Sequence, residues 1–453
     1  MKIHFIAIGG SAMHNLAIAL KQKGYFISGS DDEIFDPSRG RLEKNGLLPN
    51  DIGWFPEKLD RTFDAVVLGM HARADNLELA RAKELGIKIY SYPEYLFEQT
   101  KNKTRVVIGG SHGKTTITSM IMHVLKDVGR NFDYMVGAQI EGFENMVGLS
   151  NNTDIAIFEG DEYLTSPIDP RPKFHLYKPH IAVISGISWD HINVFPTFEQ
   201  YLKQFELFTQ TIVPNGHLIY CANDKFAAQI AANAPDNIST VPYLAHAHKV
   251  DNSKIYLDTA HGEVELEVFG SHNMENISAA KEVCSLLGIS GKQFYKSIST
   301  FKGAAKRLER IKQGASTDVF LDFAHAPSKV AATVKALKET YPNRTLVACL
   351  ELHTFSSLNK DFLDEYKGTL NDATHPIVYY NPVTLEHKKL PPISRKMVID
   401  SFRNENLKVF DNASELLQYL VDLEWGNSNL LLMSSGNFAN LNIAQLAEIV
   451  VSG

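Results

Sequence analysis

The chain has 453 residues, of which 44% are hydrophobic and 21% are charged. This is the composition of a globular protein, and the length suffices for about two to four domains. A formal net charge of −7 argues against a nucleic-acid-binding surface, although it is compatible with a local basic cleft for phosphates. The three cysteines are scattered without a CxxC pair, which argues against a disulfide framework or a zinc site and indicates a reducing compartment.

An apolar run over residues 3–8 opens the chain and predicts a strand followed by a helix over residues 11–23. Because His4 interrupts the run and no cleavage site follows, we do not expect a signal sequence. No stretch approaches the roughly 18 apolar residues of a membrane span, so the sequence predicts a cytoplasmic protein without a membrane partner. Strands over residues 26–28 and 65–68 and a helix over residues 77–85 complete this first block.

The first predicted strand ends in a glycine turn, and an acidic residue closes the next strand. This is the layout of a dinucleotide site, with phosphates at the helix start and an acid at the ribose. The spacing Gly-x-Gly-x-x-Gly is absent, which disfavours NAD relative to another nucleotide diphosphate and leaves open a turn that serves packing alone. The residues concerned are Gly9, Gly10, Ser11, Ala12, Met13, Ser30 and Asp31.

A glycine-rich loop follows a candidate polar linker over residues 98–104 and a β-branched strand. Its backbone N–H groups would form an anion cradle at the start of a helix predicted over residues 117–126. Lys114 would reach the outer phosphates of ATP, and the Thr115 hydroxyl would ligate Mg²⁺. The spacing is shorter than the full Walker A pattern, and an ordinary turn that carries a lysine is the alternative. The loop comprises Gly110, Ser111, His112, Gly113, Lys114, Thr115 and Thr116.

A second block runs from this loop to about residue 302. Two further polar motifs in it follow apolar strands, which are predicted over residues 154–158 and 181–184. Glu159 leads an acidic cluster and could hold Mg²⁺ opposite Thr115, because ligands of open α/β sheets bind at the carboxyl ends of strands. The alternative is a solvated surface loop. His191 follows Asp190 and could be a metal ligand or a general base, or a histidine held by a carboxylate for structure.

The segment around His272, Asn273 and Asn276 precedes a helix predicted over residues 276–287. These side chains could read an adenine edge, but local chemistry favours helix capping by one of the asparagines. A third block begins near residue 306. In it, Arg307 could reach a transferring phosphoryl group when domains close. Asp322 and His325 place polar groups at the carboxyl end of a predicted strand.

Strands and helices alternate from end to end, which predicts an α/β protein with parallel sheets. Taken together and in this order, the motifs resemble those of the Mur ligase superfamily, the ATP-dependent amide-forming ligases of peptidoglycan assembly. The resemblance covers almost the whole chain. It implies a Rossmann-like UDP-N-acetylmuramate-binding domain over residues 1–103, a central P-loop ATPase-type domain with a mostly parallel sheet over residues 104–304, and a Rossmann-like C-terminal domain over residues 305–453.

The resemblance also assigns cofactors, partners and roles. It implies ATP and Mg²⁺, the small-molecule substrates UDP-N-acetylmuramate and a cell-wall peptide, no nucleic acid, and a monomer or weak homodimer. The glycine turn would bind the UDP-sugar, and Thr115, Glu159 and His191 would be the metal ligands. Catalytic roles would fall to Lys114, Glu159, His191, Arg307 and His325. ATP would be bound by the loop over residues 110–116 together with His272, Asn273, Asn276, Arg307 and Asp322.

Within the superfamily the chain looks most similar to the murein peptide ligases. The features that carry this likeness are Asp161-Glu162-Tyr163, the stretch over residues 169–177, and Arg307-Leu308-Glu309. It implies a recycling enzyme that joins UDP-N-acetylmuramate to L-alanyl-γ-D-glutamyl-meso-diaminopimelate through an acyl phosphate. The sequence departs from the superfamily pattern at Gly186, Ser188, Lys306 and Ala326, and no lysine stands near Phe205, where some members carry a carbamoylated one.

Three alternatives to this function stay open. The nearest is the ligase of de novo synthesis that adds free L-alanine to the same nucleotide sugar. A P-loop kinase or NTPase that does not ligate is a second. The third is a regulatory protein that binds the UDP-sugar but has lost some catalytic residues, which the departures at Gly186, Ser188 and Ala326 suggest.

Overall fold

The computed structural model describes residues 1–189, 194–251, 254–303 and 307–452. These residues separate into two compact units, the first comprising residues Met1–Ile187, Phe198–Leu244 and Ala279–Ser297. The second contains the described residues between 188 and 197, between 245 and 278, and from 298 onward. Among the described residues, no helix combines the length and apolar character needed to cross a membrane.

A four-stranded parallel sheet of order β2-β1-β3-β4 lies at the N-terminal end of the first unit. Its strands are buried because apolar side chains such as Val66, Leu68 and Leu79 pack between the sheet and its helices. The elements are β1 (Lys2–Ile6), α1 (Ser11–Gln22), β2 (Phe26–Ser30), α2 (Ser38–Lys44), β3 (Ala65–Leu68), α3 (Leu77–Leu85), β4 (Lys88–Ser91) and α4 (Tyr92–Thr100).

The same unit contains a seven-stranded sheet of order β13-β12-β11-β5-β8-β6-β7, in which only the pairing of β6 with β7 is antiparallel. Strands β9 and β10 form a separate hairpin. The elements are β5 (Thr104–Gly109), α5 (Lys114–Asp127), β6 (Asp133–Met135), β7 (Val147–Gly148), β8 (Ile155–Glu159), β9 (Leu164–Ser166), β10 (Asp169–Pro172), β11 (Ile181–Ile184), α6 (Phe198–Thr209), β12 (His217–Cys221), α7 (Lys225–Ala232) and β13 (Ser239–Tyr243).

Most of the candidate linker over residues 98–104 is regular structure. Helix α4 begins at a capping box formed by Ser91 and Glu94 and extends to Thr100, and β5 starts at Thr104. The buried guanidinium of Arg105 donates to the carbonyl oxygens of Thr100, Lys101 and Lys103 at 3.0–3.1 Å. This connection is therefore fixed by hydrogen bonds, although its polar composition predicts a linker.

The second unit contains a three-stranded antiparallel sheet, β14-β15-β16, and a six-stranded sheet of order β17-β18-β22-β19-β20-β21. The larger sheet is parallel except where β17 joins β18. The remaining elements of the chain, in order, are β14 (His248–Asp251), β15 (Lys254–Thr259), β16 (Gly262–Leu266), α8 (Ser271–Leu286), α9 (Gly291–Ile298), β17 (Glu309–Gln313), β18 (Asp318–Asp322), α10 (Pro327–Thr340), β19 (Thr345–Leu352), β20 (His375–Tyr380), α11 (Pro382–His387), α12 (Arg395–Phe402), β21 (Lys408–Phe410), α13 (Ala413–Val421), β22 (Ser428–Met433) and α14 (Ile443–Ser452). Of these, α8 from Ala279 onward and α9 up to Ser297 belong to the first unit.

Candidate functional site

The loop with Lys114 joins β5 to α5. Gly113 has a φ of +78°, a left-handed conformation that glycine adopts at little cost, and Lys114 is the first residue of the helix. The helix thus starts three residues before the predicted one, directly after the glycine of the loop. Such a helix start favours a bound phosphate.

The two residues that follow strand β11, Ser185 and Gly186, hold the loop in place. The backbone N–H of Ser111 donates to the carbonyl oxygen of Gly186 at 2.9 Å, and the Ser185 hydroxyl donates to the carbonyl oxygen of His112. Gly110 has a φ of +129°, and a Cβ there would lie 2.2 Å from the Ser185 hydroxyl oxygen. The loop and the end of β11 therefore pack backbone against backbone.

Lys114 is paired with a buried acid. Its ammonium donates to both carboxylate oxygens of Glu162, at 2.8 and 3.0 Å, and to the carbonyl oxygen of Gly110 at 2.6 Å. Burial lowers the pKa of Lys114, but the charge and hydrogen bonds of Glu162, together with the charges of Asp161 and Glu159, outweigh burial and the pKa is raised. Lys114 is thus a cation held at a fixed point above the loop.

Thr115 and Glu159 meet as predicted. The Thr115 hydroxyl donates to one carboxylate oxygen of Glu159 at 2.9 Å, and the backbone N–H of Gly137 donates to the other oxygen at 2.8 Å. A hydroxyl and a carboxylate oxygen side by side are ligands of the kind that Mg²⁺ prefers. Since nucleotide phosphates and water supply most ligands of such an ion, two protein oxygens suffice for it.

The third predicted metal ligand, His191, lies outside the described residues, as do Asp190 and Lys306. Among the residues that the structure describes, no group of three or more His, Cys, Asp or Glu side chains could hold a metal ion.

The N-terminal glycine turn and Asp31 contact each other directly. The backbone N–H of Gly9 donates to a carboxylate oxygen of Asp31 at 2.7 Å, and a Cβ on Gly9 would lie 2.9 Å from that same oxygen. Burial raises the pKa of Asp31, and the hydrogen bond from Gly9 opposes that rise. Ser30 contributes its carbonyl oxygen, which accepts from Ala7 at 2.9 Å and Ile8 at 3.1 Å. These two residues therefore shape the turn.

Helix α1 carries the rest of the predicted turn residues. It begins at Ser11 directly after Gly10 and continues through Ala12 to Met13, whose side chain is buried. His14 lies one residue further, and its Nδ1–H donates to the carbonyl oxygen of Gly10 at 2.9 Å. The turn thus places the first N–H groups of a helix at the carboxyl edge of the N-terminal sheet, which suits a diphosphate.

Helix α8 begins at Ser271, five residues before the predicted start, so neither asparagine caps it. Asn273 donates to the carbonyl oxygen of Phe269 at 2.8 Å, and Asn276 donates to the amide oxygen of Asn273 at 3.2 Å. Burial lowers the pKa of His272, although Asp322 opposes this. In the described parts of the chain its Nδ1 has no hydrogen-bond partner. The helix-capping interpretation was wrong.

Asp322, Arg307 and His325 lie at the carboxyl end of β18. Asp322 accepts from the Thr333 hydroxyl at 2.6 Å. The Arg307 guanidinium lies 5.0 Å from the ring centre of Phe323, and the His325 ring contacts that ring edge-on. The two side chains with predicted catalytic roles therefore both contact the ring of Phe323.

Sequence profiles of three domains match the chain. The "Mur ligase family, catalytic domain" matches residues 2–104, the "Mur ligase middle domain" residues 108–284, and the "Mur ligase, glutamate ligase domain" residues 306–436. The chain belongs to the Mur ligase family. Its mixed α/β, mostly parallel, three-domain fold is thereby confirmed. As a member it is an ATP-dependent ligase.

Relatives and solved structures agree. The UDP-N-acetylmuramate–L-alanine ligase of Carboxydothermus hydrogenoformans is 28% identical over 99% of this chain and 97% of its own length. The enzyme of the same name from Clostridium kluyveri is 28% identical over 96% of each chain. A UDP-N-acetylmuramate–alanine ligase from Thermotoga maritima (TM-score 0.69, 20% identity, 100% and 98% covered) and a murein peptide ligase from Psychrobacter arcticus (0.67, 22%, 100% and 99%) share the fold.

The predicted ligation of a tripeptide in peptidoglycan recycling was wrong. The near-full-length curated relatives are named for L-alanine, which the sequence left as the alternative, and the murein peptide ligase structure at 22% identity shows the fold alone. Two of the residues that suggested a murein peptide ligase have partners nearby in the chain. Asp161 accepts from Lys173 at 2.6 Å, and Asp169 binds the guanidinium of Arg171. They stabilise a loop and the β9–β10 hairpin, so their pattern does not report the acceptor.

The sequence motifs include Glu162 but predict no role for it. They do not indicate Tyr201 or Gly137 at all. The Tyr201 hydroxyl contacts that of Ser111 at 2.8 Å. No local pattern marks Tyr201, which comes from a helix far along the chain. The signal for Glu162 was its place three residues after Glu159, on the same loop.

Proposed function

We propose that this chain is a UDP-N-acetylmuramate–L-alanine ligase. It would join the carboxylate of the muramic acid to the amine of L-alanine and convert ATP to ADP and phosphate. The observation that carries the proposal is the near-full-length similarity to enzymes of that name, at 28% identity. The paired Thr115 and Glu159 beside a lysine-bearing loop support it.

The chemistry requires an activated acid, since a carboxylate and an amine do not condense in water at neutral pH. In the proposed reaction the carboxylate oxygen bonds to the γ-phosphorus while ADP leaves. The amine nitrogen then bonds to the carbonyl carbon, the bond to phosphate breaks, and the nitrogen loses a proton. Positioning and charge stabilisation dominate such phosphoryl transfer.

Residues of both units have proposed roles. Lys114 and the loop amides would hold the terminal phosphates, with His272, Asn273, Asn276, Arg307 and Asp322 as further ATP-site residues. Thr115, Glu159 and His191 would hold Mg²⁺, which when bound would screen the charges of phosphate and carboxylate. The glycine turn would bind the UDP-sugar, and His325 would orient the amine. We expect the protein to lie in the cytoplasm, because both nucleotide substrates are cytoplasmic metabolites. We also expect it to be a monomer or weak homodimer.

The deciding experiment measures ADP release with ATP, Mg²⁺, UDP-N-acetylmuramate and either L-alanine or the tripeptide. We expect release with L-alanine and a product heavier by one alanyl residue. UDP-N-acetylglucosamine, which lacks the lactyl carboxylate, should give none. Lys114→Ala should abolish turnover, and its folding is checked by circular dichroism because the buried Glu162 loses its cation in this variant. Release with the tripeptide alone, or release without any amine, would contradict the proposal.

A further inference from the structure

Glu162 saturates the ammonium group of Lys114. An ammonium has three N–H donors, and here two face the carboxylate oxygens of Glu162 while the third faces the carbonyl oxygen of Gly110. The lysine side chain is 16% exposed and the glutamate side chain is fully buried. A phosphate oxygen that reaches Lys114 must therefore share it with a carboxylate.

Glu162 depends on this pairing in turn. Besides Lys114, the described residues offer it the Tyr201 hydroxyl, at 3.5 Å from one carboxylate oxygen. That hydroxyl also lies 2.8 Å from the Ser111 hydroxyl of the loop. A buried carboxylate stripped of its cation is strongly destabilised, so Lys114 stays with Glu162 when a ligand enters.

We propose that Glu162 is a positioning residue that fixes Lys114 above the loop and weakens the binding of phosphate anions that arrive without a divalent cation. The inference rests on the nucleotide site proposed above. Its electrostatic basis is that Glu162 offsets the one lysine charge of the loop, while Thr115 and Glu159 offer oxygen ligands to a cation that would restore positive charge. The loop would thereby discriminate the metal-bound nucleotide from the free one.

The test measures ADP affinity by calorimetry, with EDTA and with Mg²⁺, in the wild type and in Glu162→Gln. Glutamine keeps the shape and removes the charge, so we expect affinity for metal-free ADP to rise about tenfold, and affinity with Mg²⁺ to rise less. The ratio of the two affinities is the decisive readout, because a merely structural role would change both alike. Equal or weaker binding of metal-free ADP by the variant would overturn the proposal.

Asp161→Asn is the matched control. Asp161 is the adjacent acid of the same loop, but it pairs with Lys173 at 2.6 Å, so its loss should change the ratio by no more than about twofold. If Glu162→Gln does not fold, Glu162→Asp replaces it, and the retracted carboxylate should still strengthen metal-free binding. Failure of the wild type to bind ADP at all would refute the nucleotide site and this inference together. Binding without ligation would refute only the proposed reaction.

Discussion

Gly186 lies so close to His112 that a methyl group on its Cα would sit 2.3 Å from the ring carbon Cε1. Gly186 also has a φ of +142° and accepts the hydrogen bond from Ser111. The sequence departs from the superfamily pattern at this position, and the close approach of His112 explains why glycine stands there.

Gly186→Ala should therefore destabilise the protein and loosen the nucleotide loop. The variant combines backbone strain with a clash, so we expect a loss of about 2–4 kcal/mol in the free energy of unfolding. Gly24→Ala is the control, because Gly24 has a φ of +90° but nothing within 4 Å of an added Cβ. In differential scanning fluorimetry the shift for Gly186→Ala should be the larger, and equal shifts would argue against the clash.

Glu159→Gln should lower turnover by about a hundredfold or more and shift its Mg²⁺ dependence to higher concentration, because a charged oxygen ligand is lost. The variant keeps the shape of the side chain: its amide oxygen can still accept from the Gly137 N–H, and its NH2 can donate to the Thr115 hydroxyl oxygen, so folding should persist. ADP release over a range of Mg²⁺ concentrations measures this. Glu141→Gln, an exposed acid, is the control, and an unchanged Mg²⁺ dependence in Glu159→Gln would remove the metal role.

Ala326→Ser should stabilise the protein. Ala326 occupies the cap position of α10 with extended dihedral angles and no side-chain hydrogen bond to the helix. A serine hydroxyl at this position could accept from a backbone N–H of the first turn, which is worth about 0.5–1 kcal/mol. Ala332→Ser, the same change inside the same helix, should be mildly destabilising by propensity. A melting temperature that moves the same way in both variants would contradict the capping argument.

Local patterns predicted the two glycine turns well, because each is set by a few consecutive residues. The strand before Gly110 and the acid after β8 follow from hydrophobic runs and their ends, and Thr115 and Glu159 meet as those ends require. The parallel sheets follow from the alternation of strands and helices. This part of the site could be read from sequence because each strand delivers its polar end to one edge.

Pairings between distant residues could not be predicted. Helix α8 starts at Ser271, so Asn273 lies inside its first turn and donates to the upstream carbonyl oxygen of Phe269 where capping was expected. The ion pair of Glu162 with Lys114 and the hydrogen bond of Tyr201 with Ser111 depend on tertiary packing. The choice of acceptor failed for a different reason, since Asp161 and Asp169 form ion pairs with residues nearby in the sequence.

His14 should make stability fall as the solution is acidified. Its Nδ1 lies 2.9 Å from the carbonyl oxygen of Gly10, and its Nε2 accepts from the side-chain amide of Asn15 at 3.0 Å, which requires the neutral ring. Burial lowers the pKa of His14, and Arg41 adds to this while the Gly10 carbonyl opposes it. The unfolded chain, with a pKa of about 6.5, binds a proton that the folded chain resists, so stability is lost as pH falls below that value.

Burial also lowers the pKa of His175, His180 and His272, so the wild type should lose stability between about pH 7 and pH 5 through several histidines. His14→Gln should reduce the dependence of the melting temperature on pH over this range, since one resisting group is gone. His387→Gln, at an exposed position, should leave the dependence as in the wild type. Because His14 supports the glycine turn directly, an unchanged slope in His14→Gln would mean that its neutral state is not required there.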